Sequence, residues 1–135
     1  MGFFDYTSDV MIKKLLLLWL PALLMMATIF GFSSIPGSKL PNFGSMDLFV
    51  KKGGHLLGYG LLALAYWAGL RFNRRRWCVA LLLAVTYALS DEFHQSFVPG
   101  RHPSLVDALC IDGSGAAIAL GLAYWVREKR TSLEK

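Results

Sequence analysis

At 135 residues the chain has the length of one domain, but 55% hydrophobic residues and a mean hydropathy of +0.46 exclude an ordinary water-soluble composition. The net charge of +5 and pI of 9.4 would suit a nucleic-acid binder, yet the basic residues cluster where apolar stretches end, so membrane orientation explains them and nucleic acid is not an expected partner. A bilayer core about 30 Å thick is crossed by about 20 mostly apolar helical residues. Four such stretches predict an all-α fold: one membrane domain over residues 1–135, a four-helix transmembrane bundle with spans at 15–33, 53–70, 77–95 and 105–126.

The first span runs from Leu15 to Ser33, with Pro21 as a tolerated kink. Lys13-Lys14 before it resembles the start of a secretory signal. The apolar run is long for one, however, and Ser33-Ser34-Ile35-Pro36 lacks a small-x-small cleavage pattern, so it reads as a retained anchor. Met1-Gly2 opens no myristoylation signal, because Tyr6 stands where Ser or Thr is needed. Residues 34–44 hold Pro36, Gly37, Pro41, Asn42 and Gly44, a turn-rich connector or cover. Ser45 and Asp47 suit a helix start, and Gly53-Gly54 suits a break before the second span proper.

The second span ends at Leu70, and Arg71, Arg74, Arg75 and Arg76 follow as a topology determinant. The third is charge-free only from Trp77 to Ser90, 14 residues, so it crosses only if Asp91, Glu92, His94 and Gln95 lie in the membrane or at its lip. Val98-Pro99-Gly100-Arg101 then suits a type II turn. The fourth span carries Asp107 and Asp112 near its start and Tyr124-Trp125 at its far interface. Cys78 and Cys110, near opposite ends of the bundle, are expected to be packing residues without a disulfide. The spacings Gly54/Gly58 and Gly115/Ala119 suggest close helix approach. Both termini and the middle loop hold ten basic residues, Lys135 among them, against four on the other side, which predicts an N-in/C-in arrangement.

Every polar residue within a span then lies toward the extracytoplasmic end. At 100° per residue, Lys52, His55 and Tyr59 share a stripe about 60° wide, and Tyr87, Ser90, Asp91, His94 and Gln95 share a face about 140° wide, with Glu92 at its edge. Asp112 is expected about 7 Å deeper than Asp107 and turned about 140° from it. Each ionisable group in a membrane costs about 2.5–3.5 kcal/mol on insertion scales, so these groups should face one another. Asp91, Glu92, His94 and His55 are candidates for acid-base catalysis. Lys52, Tyr59, Gln95, Arg101, Asp107 and Asp112 are candidates for binding a substrate or anion. Against this, Ser104-Leu105-Val106-Asp107 fits a capping box, Lys52 can snorkel to the interface, and the two histidines can simply bond between helices. No HExxH or paired Cys/His spacing exists, so neither a metal nor a cofactor is expected.

Lys52-x-x-His55-x-x-x-Tyr59, the run from Ser90-Asp91-Glu92-Phe93-His94-Gln95 through Pro99-Gly100-Arg101, Ser104-x-x-Asp107 and Asp112-x-x-Gly115 together resemble the VanZ-like family of small bacterial membrane proteins, over about residues 51–121. The resemblance implies a multi-pass protein of the bacterial cytoplasmic membrane, in a family named for a protein that raises resistance to the glycopeptide teicoplanin. It carries over positions and not established roles. Two readings follow: an outer pocket that binds or modifies a phosphorylated or glycosylated envelope lipid, with membrane lipids or a lipid-linked cell-wall precursor as partner, or a non-catalytic structural protein whose polar cluster locks the helices. A proton or ion pathway is disfavoured because no ionisable residue lies in the cytoplasmic half of any span.

Overall fold

Each apolar stretch becomes a helix in the computed structural model, which describes residues 3–133 and has no strand among them. The helices are α1 (Phe3–Ser33), α2 (Asp47–Gly69), α3 (Trp77–Gln95) and α4 (Leu105–Leu133), with short 3₁₀ turns at Gly37–Lys39, Gly44–Met46 and Arg74–Arg76. Val10–Ser33 of α1 and the whole of α4 are long and apolar enough to cross a membrane, and almost none of the α1 stretch is buried in protein. Leu16, Leu20, Leu23, Leu24 and Phe30 are exposed along it, as are Leu57 and Leu61 on α2 and Ile118 and Leu122 on α4. An apolar surface this extended is expected of helices solvated by lipid.

α2 is the central helix and packs against the other three. Its Tyr59, Leu62, Ala63 and Trp67 are buried against Ala80, Ala84 and Ala88 of α3 and Ala116 and Leu120 of α4. Small residues set the approach. A Cβ at Gly115 would fall on the Leu56 carbonyl, and one at Gly60 would lie 3.1 Å from the Gly115 carbonyl and 3.3 Å from Ala119. The pair Gly115/Ala119 therefore makes the close seam expected of it. Gly54 does not: nothing lies within 4 Å of its Cβ position, and Gly58 meets only Ile29 at 3.9 Å, so this spacing leaves room between α1 and α2.

Other boundaries shift. α2 starts at Asp47 and passes through Gly53-Gly54 unbroken, with its buried residues beginning only at Tyr59. Asp47 accepts from the Phe43 N–H at 3.3 Å and from Lys51 at 2.6 Å, which fixes the helix entry. Pro21 lies within α1 without ending it. Cys78 and Cys110 are free, but both are exposed instead of packed, because their side chains face away from the α2-centred core.

At the basic end, Arg71 and Phe72 take positive φ (58° and 50°), turning the chain tightly between α2 and α3. The Trp67 indole donates to the Asn73 carbonyl at 2.9 Å, and Asn73 accepts from the Arg75 N–H at 2.9 Å. Arg74 lies over Tyr124, Arg127 over Phe72 and Lys129 over Trp125, so cations and aromatic rings form one belt. Lys135 and Met1-Gly2 lie outside the described residues.

Candidate functional site

At the opposite end, α4 begins with Ser104 accepting from the Asp107 N–H at 3.2 Å, half of a capping box. The reciprocal half comes from another helix. Glu92 of α3 accepts from the Ser104 N–H through Oε2 at 2.6 Å, which leaves the Asp107 carboxylate available to Lys52 at 3.0 Å. Directly after Asp107, residues Ala108–Asp112 form a π-helical turn in which the Gly113 N–H bonds to the Ala108 carbonyl. A π turn holds one more residue than an α turn, so the five-residue step from Asp107 to Asp112 comes close to one full turn instead of overshooting by about 140°. This corrects the expected divergence of the two acids. Both meet the α2 stripe, Asp107 at Lys52 and Asp112 at His55.

Asp112 is only 1% exposed, and its Oδ1 lies 3.2 Å from His55 Nδ1. His55, Glu92 and Asp112, from three helices, each offer a donor atom within 4.8 Å of the others. Tyr59 stands one turn below His55, their rings 6.1 Å apart and stacked, with its hydroxyl buried. Tyr59 Oη, Asp91 Oδ1 and Asp112 Oδ2 are buried atoms without a hydrogen-bond partner among the described residues.

The other α3 residues turn toward α1. Asp91 accepts from the Ser33 hydroxyl at 2.7 Å and from the Gln95 amide at 2.9 Å, and all three side chains are buried. His94 points away from His55: its Nε2 lies 3.0 Å from Ser34 Oγ, and its ring stacks on Phe30 at 4.3 Å. Ser90 donates back to the Tyr87 carbonyl at 2.7 Å, as an ordinary helix serine does. Beyond the helix, Arg101 N–H bonds to the Val98 carbonyl at 3.2 Å and Gly100 takes φ 73°, the arrangement a type II turn requires. The Arg101 guanidinium donates to the Ile35 carbonyl at 2.9 Å and to the Phe32 carbonyl, capping the end of α1. Its partial burial lowers its pKa from the usual value, while Asp91 and Glu92 act in the opposite direction.

The ten candidates thus divide in two. Lys52, His55, Tyr59, Glu92, Asp107 and Asp112 gather around α2 and α4, whereas Asp91, His94, Gln95 and Arg101 face the end of α1. Beside the first group lies a cleft of about 430 Å³ between α1 and α2. Its walls include Met25, Ile29, Phe32 and Val50, and Lys51, His55, Tyr59 and Arg101 supply its polar end. Asp91 does not line the cleft and lies behind Ser33, which does. Sequence reasoning missed Ser33 and Lys51. Ser33 closes an apolar span and looks like its boundary, and Lys51 lies 100° around the helix from the chosen Lys52.

No curated protein and no solved structure matches the chain. The VanZ/LLP1 family model matches residues 10–127, taking in all four helices and every residue of both clusters. With that coverage the chain belongs to the VanZ/LLP1 family, as a helical membrane protein.

Proposed function

We propose that the cleft between α1 and α2 binds an amphiphilic envelope lipid or lipid-linked precursor, apolar chain among Met25, Ile29, Phe32 and Val50, phosphorylated or glycosylated headgroup at Lys51, His55, Tyr59 and Arg101. The observation that carries this reading is the cleft itself: a mostly apolar trough of about 430 Å³ in which Lys51, His55 and Arg101 bring ionisable side chains to one end, while Thr28 and Ser33 add hydroxyls along the α1 wall. The ten-to-four distribution of basic residues supports a multi-pass arrangement in a bacterial cytoplasmic membrane with both termini inside, so that the cleft opens at the outer headgroup level. Binding such a molecule there is compatible with the glycopeptide-resistance association that gives the family its name. For Asp91 and Gln95 the structural reading is favoured, since each is tied to the other or to Ser33 and neither lines the cleft.

Gly54 provides the test. It lines the cleft with nothing within 4 Å of its Cβ position, so the α2 backbone has room for a side chain there and the ring of Gly54→Phe should occupy cleft volume. Native mass spectrometry of protein released from nanodiscs should show lipid adducts on the wild type and their loss from Gly54→Phe, with helicity unchanged. Equal lipid retention in both would refute the reading.

A further inference from the structure

In the three-helix meeting of His55, Glu92 and Asp112, the lipid reading uses His55 but neither buried carboxylate, since only His55 of the three lines the cleft. Glu92 and Asp112 are 6% and 1% exposed, and Asp91 nearby is 3% exposed, so three carboxylates are buried at one end of the bundle. The cations nearest to them are committed elsewhere. Lys52 pairs with Asp107, and the Arg101 guanidinium donates to the carbonyls ending α1. Among the described cations His55 is the one that hydrogen-bonds a buried carboxylate of this group, and in the form that binds a metal, with both carboxylates ionised and the imidazole neutral, the trio carries a charge of −2. Asp112 also keeps a second oxygen, Oδ2, buried and without a partner. Buried charge of this kind requires compensation by a counter-ion or a proton.

We propose that His55, Glu92 and Asp112 form a binding site for one divalent transition-metal ion of the Zn²⁺ class. One imidazole nitrogen and two carboxylate oxygens suit that class, whereas Mg²⁺ and Ca²⁺ favour all-oxygen surroundings and higher coordination. With bonds of about 2.0–2.1 Å, donors around tetrahedral zinc lie roughly 3.3 Å apart. His55 Nδ1 and Asp112 Oδ1 are already at 3.2 Å, and the whole set spans no more than 4.8 Å, a gap that a small side-chain adjustment of Glu92 closes. The Ser104 N–H held by Glu92 Oε2 supplies the kind of outer contact that orients a ligating carboxylate. Three protein ligands leave a coordination position open, and His55, which lines the cleft, provides the approach to it. The carboxylates come from α3 and α4 and the imidazole from α2, so no spacing within one helix announces the site.

The full chain, purified through a tag without histidine, is reconstituted in nanodiscs, stripped with EDTA and titrated with ZnCl₂ against a fluorescent chelator. The expected result is one equivalent bound with Kd below about 1 μM. His55→Ala, Glu92→Gln and Asp112→Asn should each weaken binding on the order of 100-fold. Asp47→Asn should bind as the wild type. Co²⁺ should give visible d–d bands in the stripped wild type that His55→Ala lacks, and Mg²⁺ or Ca²⁺ in millimolar excess should not displace Zn²⁺. Circular dichroism in EDTA separates lost ligation from lost folding, and Glu92→Gln keeps an acceptor for Ser104. Absence of binding, binding unchanged in all three variants, or displacement by Mg²⁺ or Ca²⁺ would overturn the proposal. Zinc binding and lipid retention are read separately, so either can fail while the other stands.

Discussion

The Ser33 hydroxyl donates to Asp91 Oδ2 across 2.7 Å, joining the last residue of α1 to the acid that ends the apolar part of α3. Both side chains are buried. Removing the donor leaves the carboxylate with Gln95 as its remaining side-chain donor and imposes a desolvation penalty of about 1–3 kcal/mol. Ser33→Ala should therefore lower the thermal unfolding midpoint in detergent. If the bond is responsible, the penalty shrinks when Asp91→Ala, which removes the acceptor, is already present, and a double-mutant cycle should give a coupling of about 0.5–3 kcal/mol. Additive losses would assign the effect to something other than this pair.

Gly115 tests the seam between α2 and α4. A methyl group there falls on the Leu56 carbonyl, which is helix backbone and cannot swing aside, so Gly115→Ala must push the helices apart. Gly121, two turns away on the same helix, has nothing within 4 Å of its Cβ position. Gly121→Ala should be neutral or slightly stabilising through helix propensity, by up to about 1 kcal/mol. Gly115→Ala should cost about 1–3 kcal/mol as overpacking. Unfolding midpoints in one detergent compare the two, and similar behaviour would contradict the packing described for α2 and α4.

The helices were legible because hydropathy and charge mark apolar stretches and their ends, and α3 reaches its full length, Trp77–Gln95, by taking Asp91 and Glu92 with it. The gathering of polar side chains at one end was legible for the same reason: ionisable groups in lipid must find each other. Partners were less legible. Asp107 looked like a capping acid because the local spacing Ser104-x-x-Asp107 fits one, yet Glu92, distant in sequence, takes that duty. His94 and His55 looked like members of one pocket, but two histidines on neighbouring helices can face opposite ways, and nothing in their spacing sets the rotation of α3 against α2. The π turn had no sequence signal, since periodic reading assumes 100° per residue throughout.

Arg101 holds the cover over this end. Its guanidinium fork reaches two carbonyls of the α1 terminus, and Gly37 of the connector donates to the Pro99 carbonyl at 3.0 Å in the same contact. Lysine keeps the charge but cannot present two donors in a fixed fork. Arg101→Lys should loosen residues 34–44 from the turn at 98–101, at a cost of about 1 kcal/mol. Hydrogen exchange followed by mass spectrometry should then show faster exchange in peptides covering Gly37, with α2 and α3 unchanged. Unaltered exchange would mean that the turn is held by its own backbone.

The π turn at Ala108–Asp112 is the device that turns both acids of α4 toward α2, and its extra residue can be removed. Deleting Cys110, which is exposed and makes no core contact, should let the segment close as an ordinary α-helix. The residues after it would then rotate by about 100° relative to those before it. Because the Gly115 seam anchors the later part of α4 against Leu56, the rotation should fall on the first turn and swing Asp107 away from Lys52 while His55 keeps Asp112. The Lys52–Asp107 pair is more than a third exposed at both ends, so its loss should cost less than about 1 kcal/mol. The deletion variant is therefore expected to fold with nearly wild-type helicity and to have a Lys52 side chain released from its acid. Lys52 should then react faster with an amine-modifying reagent in the variant than in the wild type, measured by peptide mass spectrometry. An unchanged rate would show that the π turn does not set the pairing, and a collapsed fold would show that the early turn of α4 cannot rotate independently of the seam.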